Sequence, residues 1–188
     1  MHIDQGKAAV ELARRAIEGF LLSNRKVPPP NDLPVVFEEP RGVFVTLNSG
    51  MLRGCIGYPY PTMKLKDAII DAAISAAVYD YRFPPVNVLE LETITIEVTI
   101  LTQPERIHSA DEIMVGKHGL IVKKGVHQGL LLPQVATEYN WTSHEFVSHT
   151  FEKAGLSPGT LGAELYVFEG QIFEEIEPHG DVVEKCIC

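Results

Sequence analysis

The first regular pattern in the chain is helical and runs from Asp4 to about Ser23. Apolar residues recur there at intervals of three and four, the spacing of an amphipathic helix that packs one face on a core. These residues are Ala9, Leu12, Ala13, Ala16, Ile17, Phe20 and Leu21. Three consecutive prolines beginning at Pro28 end the helix, and the proline-rich stretch 27–40 predicts an extended connector.

Two short strand-like runs follow, at residues 42–47 and 51–56. The Asn48-Ser49-Gly50 segment between them contains residues that tolerate positive φ, so the two runs predict a β-hairpin. Thr62 is then expected to cap a second, alanine-rich helix. Its small side chains predict close packing against a sheet, and it should end before Arg82-Phe83-Pro84-Pro85.

The clearest strand pattern lies at residues 93–101, where polar and apolar side chains alternate strictly. Such alternation is typical of an antiparallel sheet with one solvated face. Residues 119–124 and 128–132 predict a second hairpin that turns near Gly125. Both hairpins are local pairings, which favours antiparallel sheets.

The last part of the chain predicts one helix and one or two strands. The capping box Thr142-Ser143-His144-Glu145 begins the helix, Gly155 ends it, and residues 165–176 close the sheets. Strands therefore arrive in neighbouring pairs and do not alternate with helices. The pattern predicts an α+β fold with antiparallel sheets and flanking helices, in one domain that covers residues 1–188.

Composition narrows the class of protein. A hydrophobic content of 45% with 22% charged residues is typical of a globular protein. The formal net charge of −9 disfavours general binding to nucleic acid. No apolar run approaches the roughly 18 residues that span a bilayer, and the N-terminus lacks the pattern of a signal peptide. Cys55, Cys186 and Cys188 form no disulfide framework, so a cytoplasmic protein is expected.

The candidate chemistry centres on Arg53 and Cys55. Residues two apart on a strand point to the same face, so the guanidinium and the thiol should lie side by side. A neighbouring positive charge favours the reactive thiolate. Gly54 and Gly57 leave room for a ligand or another backbone to approach. Equally, Cys55 could be a small packed hydrophobe, Arg53 an ion-pair partner, and the glycines turn or bulge residues.

The hairpin sequence Leu52-Arg53-Gly54-Cys55-Ile56-Gly57 resembles the signature of the AMMECR-one family, and the similarity extends along nearly the whole chain. The other matching segments, in order, are Gly42-Val43-Phe44-Val45-Thr46-Leu47, Asp80-Tyr81-Arg82-Phe83-Pro84-Pro85, Gly116-Lys117-His118-Gly119-Leu120, Leu131-Leu132-Pro133-Gln134-Val135-Ala136 and Lys153-Ala154-Gly155-Leu156. This resemblance implies an α+β fold with a larger and a smaller lobe and a cleft between them. It specifies no reaction. It also implies a modification pathway shared with Memo-like and radical S-adenosylmethionine proteins as possible partners.

Four further motif residues are candidates for the same site. His118 could act as a general base or hydrogen-bond donor near the thiol, or it could be a loop histidine satisfied by backbone. Arg82 and Phe83 could receive an anionic or flat ligand, or they could pair with Asp80 and fill the core. Gln134 could orient a ligand or cap a helix. Trp141, the single tryptophan, is expected in the core.

Three tempting motifs are set aside. His144 and His149 imitate a zinc-protease motif but stand five residues apart, so they diverge by about 140° on a helix. The Gly116-Lys117-His118-Gly119 loop imitates an RNA-binding KH loop, but a strand follows it and the chain is acidic. Cys186 and Cys188 supply half of a tetrahedral zinc site. No metal and no cofactor is expected.

Two hypotheses of function follow. In the first, the protein is an enzyme that uses Cys55 as nucleophile or covalent relay, Arg53 to favour the thiolate and His118 for proton transfer. In the second, the same glycine-lined hairpin, with Arg82 and Phe83, belongs to a non-catalytic module that binds a small ligand or a partner protein. Association with RNA is the third and weakest interpretation.

Overall fold

A computed structural model describes residues 1–185, which divide into two compact units. Of the described residues, the first unit contains Met1–Leu101 and 171–185, and the second contains 102–170. The C-terminal cysteines, Cys186 and Cys188, lie outside the described residues. The predicted α+β class with antiparallel sheets is confirmed, since four helices accompany two antiparallel sheets of five and four strands.

The first unit is a five-stranded sheet with two long helices. Its helices are α1 (Ile3–Ser23) and α2 (Leu65–Val78). Its strands are β1 (Val43–Asn48), β2 (Leu52–Tyr58), β3 (Thr95–Leu101), β8 (Gly170–Glu175) and β9 (Val182–Lys185). They are ordered β2-β1-β3-β8-β9, so β2 is an edge strand. Both helices contribute to one hydrophobic core with the apolar face of this sheet.

The second unit is a four-stranded sheet with two shorter helices. Its strands are β4 (Glu105–Ile107), β5 (Gly119–Lys124), β6 (His127–Leu131) and β7 (Glu164–Phe168), in the order β4-β7-β5-β6. Its helices are α3 (Pro133–Glu138) and α4 (Ser143–Lys153). Helix α4 packs so closely on β6 that a Cβ on Gly129 would lie 2.4 Å from the backbone nitrogen of Ala154. Phe146 and Leu120 are fully buried in this unit's core.

The local patterns of the sequence give most of these elements. The hairpin β1–β2 forms with Gly50 at φ 71°, and the hairpin β5–β6 turns through Gly125 at φ 58°. The cap of the second helix was predicted wrongly at Thr62, since α2 begins at Leu65 after Lys64. An isolated bridge between Pro40 and Lys64 keeps the preceding backbone extended, which delays the first helical turn.

Candidate functional site

Cys55 lies in the edge strand β2, directly opposite Thr46 of β1. The hydroxyl of Thr46 donates a hydrogen bond to the Cys55 sulfur, with Oγ1 and Sγ 3.3 Å apart. Cys55 is a free cysteine and is partly exposed. The residue is therefore partly accessible, and its sulfur already has a hydroxyl donor.

The two faces of β2 have different surroundings. Gly54 faces α2, while Ile56 and Tyr58 pack against the hydrophobic core of the first unit. Side chains alternate along a strand, so Arg53 and Cys55 lie together on the opposite face, as the spacing predicts. A cysteine placed on this face is not part of the buried hydrophobic core.

Asp80 and Arg82 hold the backbone of Cys55 from the open edge of the sheet. The Cys55 N–H donates to Asp80 Oδ2 at 2.9 Å, and Arg82 Nη2 donates to the Cys55 carbonyl oxygen at 3.0 Å. Arg82 Nε and Nη2 in turn donate to the Asp80 carboxylate at 2.9 and 2.6 Å. The pair thus satisfies both backbone groups that an edge strand leaves unpaired at this residue.

The electrostatics of this clamp favour the charged carboxylate. Hydrogen bonds from the Arg82 side chain, and then from the backbone N–H groups of Cys55 and Arg82, hold the pKa of Asp80 well below its usual range although burial opposes this. Asp80 raises the pKa of Arg82, with a smaller contribution from the nearby Cys55 thiol. The cation beside the Cys55 peptide is therefore Arg82.

Replacing Asp80 by asparagine is expected to destabilise the protein by about 2 kcal/mol at pH 7, because a buried charged acceptor of three hydrogen-bonding groups is lost. The Asp80 pKa is lowered by folding, so its contribution is complete above the unfolded pKa of about 4 and declines as pH falls towards the folded value. Urea unfolding of both proteins at pH 7, 4 and 2.5 should show the gap narrowing. A gap that stays constant would contradict the charged clamp.

Arg53 forms an ion pair with Glu90. Its Nε and Nη2 donate to the two carboxylate oxygens of Glu90 at 2.8 and 3.3 Å, and Glu90 lies in the short 3-10 helix Val88–Glu92. This ion pair lowers the pKa of Glu90. The Nη1 atom of Arg53 is buried without a hydrogen-bond partner. Since a carboxylate already matches the Arg53 charge, its predicted effect on the Cys55 thiolate stays a prediction.

Phe83 and Arg82 lie close to each other after α2. The Arg82 guanidinium carbon stands 5.4 Å from the centre of the Phe83 ring, within the range of a cation–π contact. The Arg82 side chain remains 44% exposed while it pairs with Asp80. Arg82 thus pairs with Asp80, as one alternative of the sequence anticipates, whereas Phe83 is only half-buried and contact of either residue with a ligand stays a prediction.

Gly54 and Gly57 both make room for the protein's own atoms. A Cβ on Gly54 would lie 2.2 Å from the carbonyl oxygen of Ala76 in α2. A Cβ on Gly57 would lie 2.2 Å from the ring of Phe44 on β1. Of the two reasons given for these glycines, the structure shows the close approach of another backbone, which is α2 at Gly54 and β1 at Gly57. Their contact with a ligand stays a prediction.

His118 and Gln134 belong to the second unit, whereas Arg53, Cys55, Arg82 and Phe83 belong to the first. His118 is 8% exposed, and its Nδ1 accepts a hydrogen bond from the Met114 N–H at 3.2 Å. Its Nε2 lies 3.7 Å from a carboxylate oxygen of Glu169. Gln134 is exposed in the first turn of α3. The structure thus gives His118 a backbone partner, as the plainer reading anticipates.

Within residues 1–185, no cluster of three or more histidine, cysteine or acidic side chains is placed to hold a metal ion. None of the helices in that range is both long and apolar enough to cross a bilayer. His144 and His149, which imitate a zinc-protease motif in the sequence, are not part of such a cluster. His149 Nδ1 is instead hydrogen-bonded to Glu152 Oε2 at 3.0 Å. Trp141 is not fully buried and packs at the margin of the second unit's core.

The sequence did not single out Thr46, Asp80 or Glu90 as members of the site. Thr46 had a detectable signal, because it lies on the polar face of β1 in a hairpin whose register places it opposite Cys55. Asp80, which the sequence named only as a possible partner of Arg82, and Glu90 stand 25 and 37 residues from Cys55 and Arg53, in segments that no local pattern brings to β2.

Comparison with known proteins decides the family. The AMMECR1 family model matches residues 10–173. The chain belongs to the AMMECR1 (AMMECR-one) family. A protein of Methanosarcina acetivorans is 59% identical over 96% of this chain and 96% of its own. Protein PF1979 of Pyrococcus furiosus is 48% identical over 96% of this chain and 92% of its own.

A solved structure supports the fold of this AMMECR1 family member. The crystal structure of the uncharacterised protein PH0010 from Pyrococcus horikoshii matches with a TM-score of 0.78 and 44% sequence identity, over 97% of both chains. The resemblance first drawn from the short motifs around Cys55 is thereby confirmed at the level of family and fold. The names of these relatives specify no reaction and no partner.

Proposed function

We propose that this AMMECR1 family protein is an enzyme that acts through the Cys55 thiol on the polar face of the first unit's sheet. In such a step the sulfur forms a bond to an electrophilic atom of the substrate, the thiol proton passes to a base or to solvent, and the leaving group departs with its electron pair. Arg53, Arg82 and Phe83 are proposed to contact the substrate, together with the backbone of Gly54 and Gly57, while contact of Gln134, in the second unit, with a ligand stays a prediction.

One observation carries this proposal: Cys55 is partly exposed and its surroundings hold it in place. Thr46 donates to the sulfur at 3.3 Å, while Asp80 and Arg82 fix the two backbone groups of the same residue. A preorganised side chain loses little entropy on reaching its reactive geometry. A packing cysteine would need neither the hydroxyl nor the clamp.

The proton-transfer role of His118, which lies in the second unit, stays a prediction. Because Nδ1 accepts the Met114 N–H, the proton of the neutral ring is on Nε2, near Glu169. The ring is therefore suited to donate a hydrogen bond, which is the second of its two predicted roles. The cytoplasmic location and a shared pathway with Memo-like or radical S-adenosylmethionine proteins stay part of the proposal.

Thiol alkylation tests the proposal without knowledge of the substrate. In a Cys186→Ser/Cys188→Ser background, iodoacetamide should label Cys55 in the folded protein. Replacing Thr46 by valine should slow this reaction about two- to five-fold, because the sulfur loses the hydroxyl donor that holds it in place. Peptide mass spectrometry over time gives the rate.

Thr99→Val is the matched control, since Thr99 lies on the same face of the sheet but pairs with Phe44. Its alkylation rate should equal that of the parent protein. Labelling of Cys55 only after unfolding would refute the proposed nucleophile. Equal alkylation rates in Thr46→Val and the parent protein would show that the Thr46 hydroxyl does not contribute to the site. Cys55 would then still be an exposed cysteine.

A second candidate function is a binding module, and one observation favours it. Both guanidinium groups of the site are already neutralised, Arg53 by Glu90 and Arg82 by Asp80. The neighbours Tyr81 and Leu89 are 94% and 85% exposed, and thus present apolar surface beside these anchors. An alkylation-inert Cys55 together with a small molecule retained in native mass spectrometry would favour this role.

A further inference from the structure

Three rings form a stack in the second unit, outside the site around Cys55. The Tyr139 and Trp141 rings lie 4.9 Å apart with planes 18° from parallel. The Trp141 and His149 rings lie 3.9 Å apart with planes 19° from parallel. Stacked rings at these separations attract one another beyond the area they bury.

The backbone fixes two of these rings through the end of α3. Asn140 adopts a left-handed conformation with φ 54°, which asparagine tolerates better than most residues. The Trp141 N–H then donates to Ala136 O at 2.8 Å, and the Asn140 N–H donates to Thr137 O at 3.2 Å. These two bonds make a Schellman motif, which sets Tyr139 and Trp141 on either side of one turn.

Helix α4 fixes the third ring. Thr142, which directly follows Trp141, caps α4 and forms a capping box with Glu145. His149 lies on this helix, and its Nδ1 pairs with Glu152 Oε2 at 3.0 Å. Because a helix end, a cap and a hydrogen-bonding partner hold the rings before any ligand arrives, binding would order few groups.

Packing of the core does not explain the position of the Tyr139 ring. Trp141 packs against the second unit's core, but across residues 1–185 Tyr139 is not among the side chains assigned to a core cluster. Its side chain and backbone together are 65% exposed. A large ring stacked on a tryptophan and left open on the surface provides a surface on which another flat group can stack.

The charges around the stack select the kind of group. Glu138 precedes Tyr139, and Glu145 and Glu152 lie on α4 with His149, while Lys153 is the one lysine in the segment 138–153. All four of these charged residues are exposed. A phosphate or carboxylate ligand would meet more negative than positive charge here, whereas a cation gains from both the carboxylates and the ring faces.

We propose that the Tyr139–Trp141–His149 stack is a binding site for a flat cation, either an N-alkylated heteroaromatic ring or a guanidinium group. The two share planar shape and delocalised positive charge, which is the chemistry that stacked rings recognise. A heteroaromatic cation would be a free small molecule, and a guanidinium would belong to an arginine side chain of a partner. The site is separate from the thiol chemistry and does not depend on it.

Trp141 fluorescence tests this site directly, because the chain has 1 tryptophan. The full-length protein is titrated with the 1-methylnicotinamide cation, with uncharged nicotinamide and with ethylguanidinium. A saturable change with a dissociation constant on the order of millimolar is expected for a cation stacking on one exposed platform. Saturation by the ring cation alone would indicate a small-molecule ligand, and saturation by ethylguanidinium as well would indicate an arginine side chain.

Three variants decide whether the stack is the site. Tyr139→Leu should weaken the saturable binding about five-fold or more, since the outer ring is lost, whereas Tyr139→Phe should retain it. Tyr79→Leu removes a tyrosine that is 67% exposed in the first unit and should leave the binding unchanged. Far-ultraviolet circular dichroism confirms that each variant is folded.

Two results would overturn the proposal. Linear quenching of Trp141 by all three probes, without saturation, would show random collisions only. Saturable binding that is equal in Tyr139→Leu and the parent protein would place the ligand elsewhere. Stronger binding of uncharged nicotinamide than of its methylated cation would equally contradict a site that selects positive charge.

Discussion

Replacing Arg14 by alanine is expected to lower the free energy of unfolding by about 3–5 kcal/mol, because it leaves the carboxylate of Glu175 buried without its partner. Both residues are 7% exposed. Arg14 Nε and Nη2 donate to the two carboxylate oxygens of Glu175 at 2.7 and 2.5 Å. A loss of this size corresponds to a fall of roughly 10 °C in the melting temperature of a domain this large.

The same pair ties three elements of the first unit together. Arg14 on α1 also donates to the backbone oxygen of Ile94 at 2.7 Å, and Glu175 on β8 accepts from the Ile96 N–H at 2.9 Å. The pair therefore joins α1, β8 and the start of β3. Its loss would break backbone contacts as well as the ion pair, which is why the expected cost is high.

Two controls separate the buried charge from general sensitivity. Lys64→Ala breaks an exposed ion pair with Glu38, and should leave the stability nearly unchanged. The double variant Arg14→Met/Glu175→Leu removes both charges and should recover part of the stability lost in Arg14→Ala. Urea unfolding measures all three variants. An Arg14→Ala protein as stable as Lys64→Ala would contradict the argument.

Local patterns were sufficient for the elements that depend on neighbouring residues. Both hairpins, the strand of residues 93–101 and the helix from the Thr142 cap follow from alternation, turn residues and capping, and all are present. The short strands β4 and β9 carry too few residues for a periodic signal. The position of β4 depends on pairing with β7, which lies far along the chain, and that of β9 on pairing with β8, which directly precedes it.

The buried charges show where such patterns stop. Arg14 follows Val10 by four residues and precedes Ile17 by three, so it stands on the apolar face of α1. Glu175 follows the buried Phe173 by two residues on β8. Each position indicates a charge on a buried face. Only the folded chain shows that these two residues, 161 positions apart, form a pair. The clamp of Asp80 on Cys55 escaped prediction for the same reason.

Gly54→Val is the second change with a large expected effect, at about 3 kcal/mol of destabilisation. A Cβ on residue 54 would lie 2.2 Å from the carbonyl oxygen of Ala76, and 3.1 Å from the carbonyl carbon. Both are backbone atoms of α2, so no side chain can turn away to relieve the overlap. Valine adds two further methyl groups, and the strand and helix must separate.

Gly50→Asn is the matched control, because nothing lies within 4 Å of a Cβ at residue 50 and its φ of 71° suits asparagine. Thermal unfolding should show little change for this variant and a marked loss for Gly54→Val. Equal stability of Gly54→Val and the parent protein would mean that β2 and α2 are not packed backbone to backbone.

The Gly54 variant also connects the packing of β2 with the thiol. Moving β2 away from α2 shifts the Cys55 N–H relative to Asp80, which lies two residues beyond the end of α2. The hydrogen bond at 2.9 Å should weaken, and Cys55 should be more mobile and more exposed. We therefore expect faster alkylation of Cys55 in Gly54→Val than in the parent, at a temperature where both remain folded. An unchanged rate would show that the clamp on Cys55 is independent of the close packing beside it.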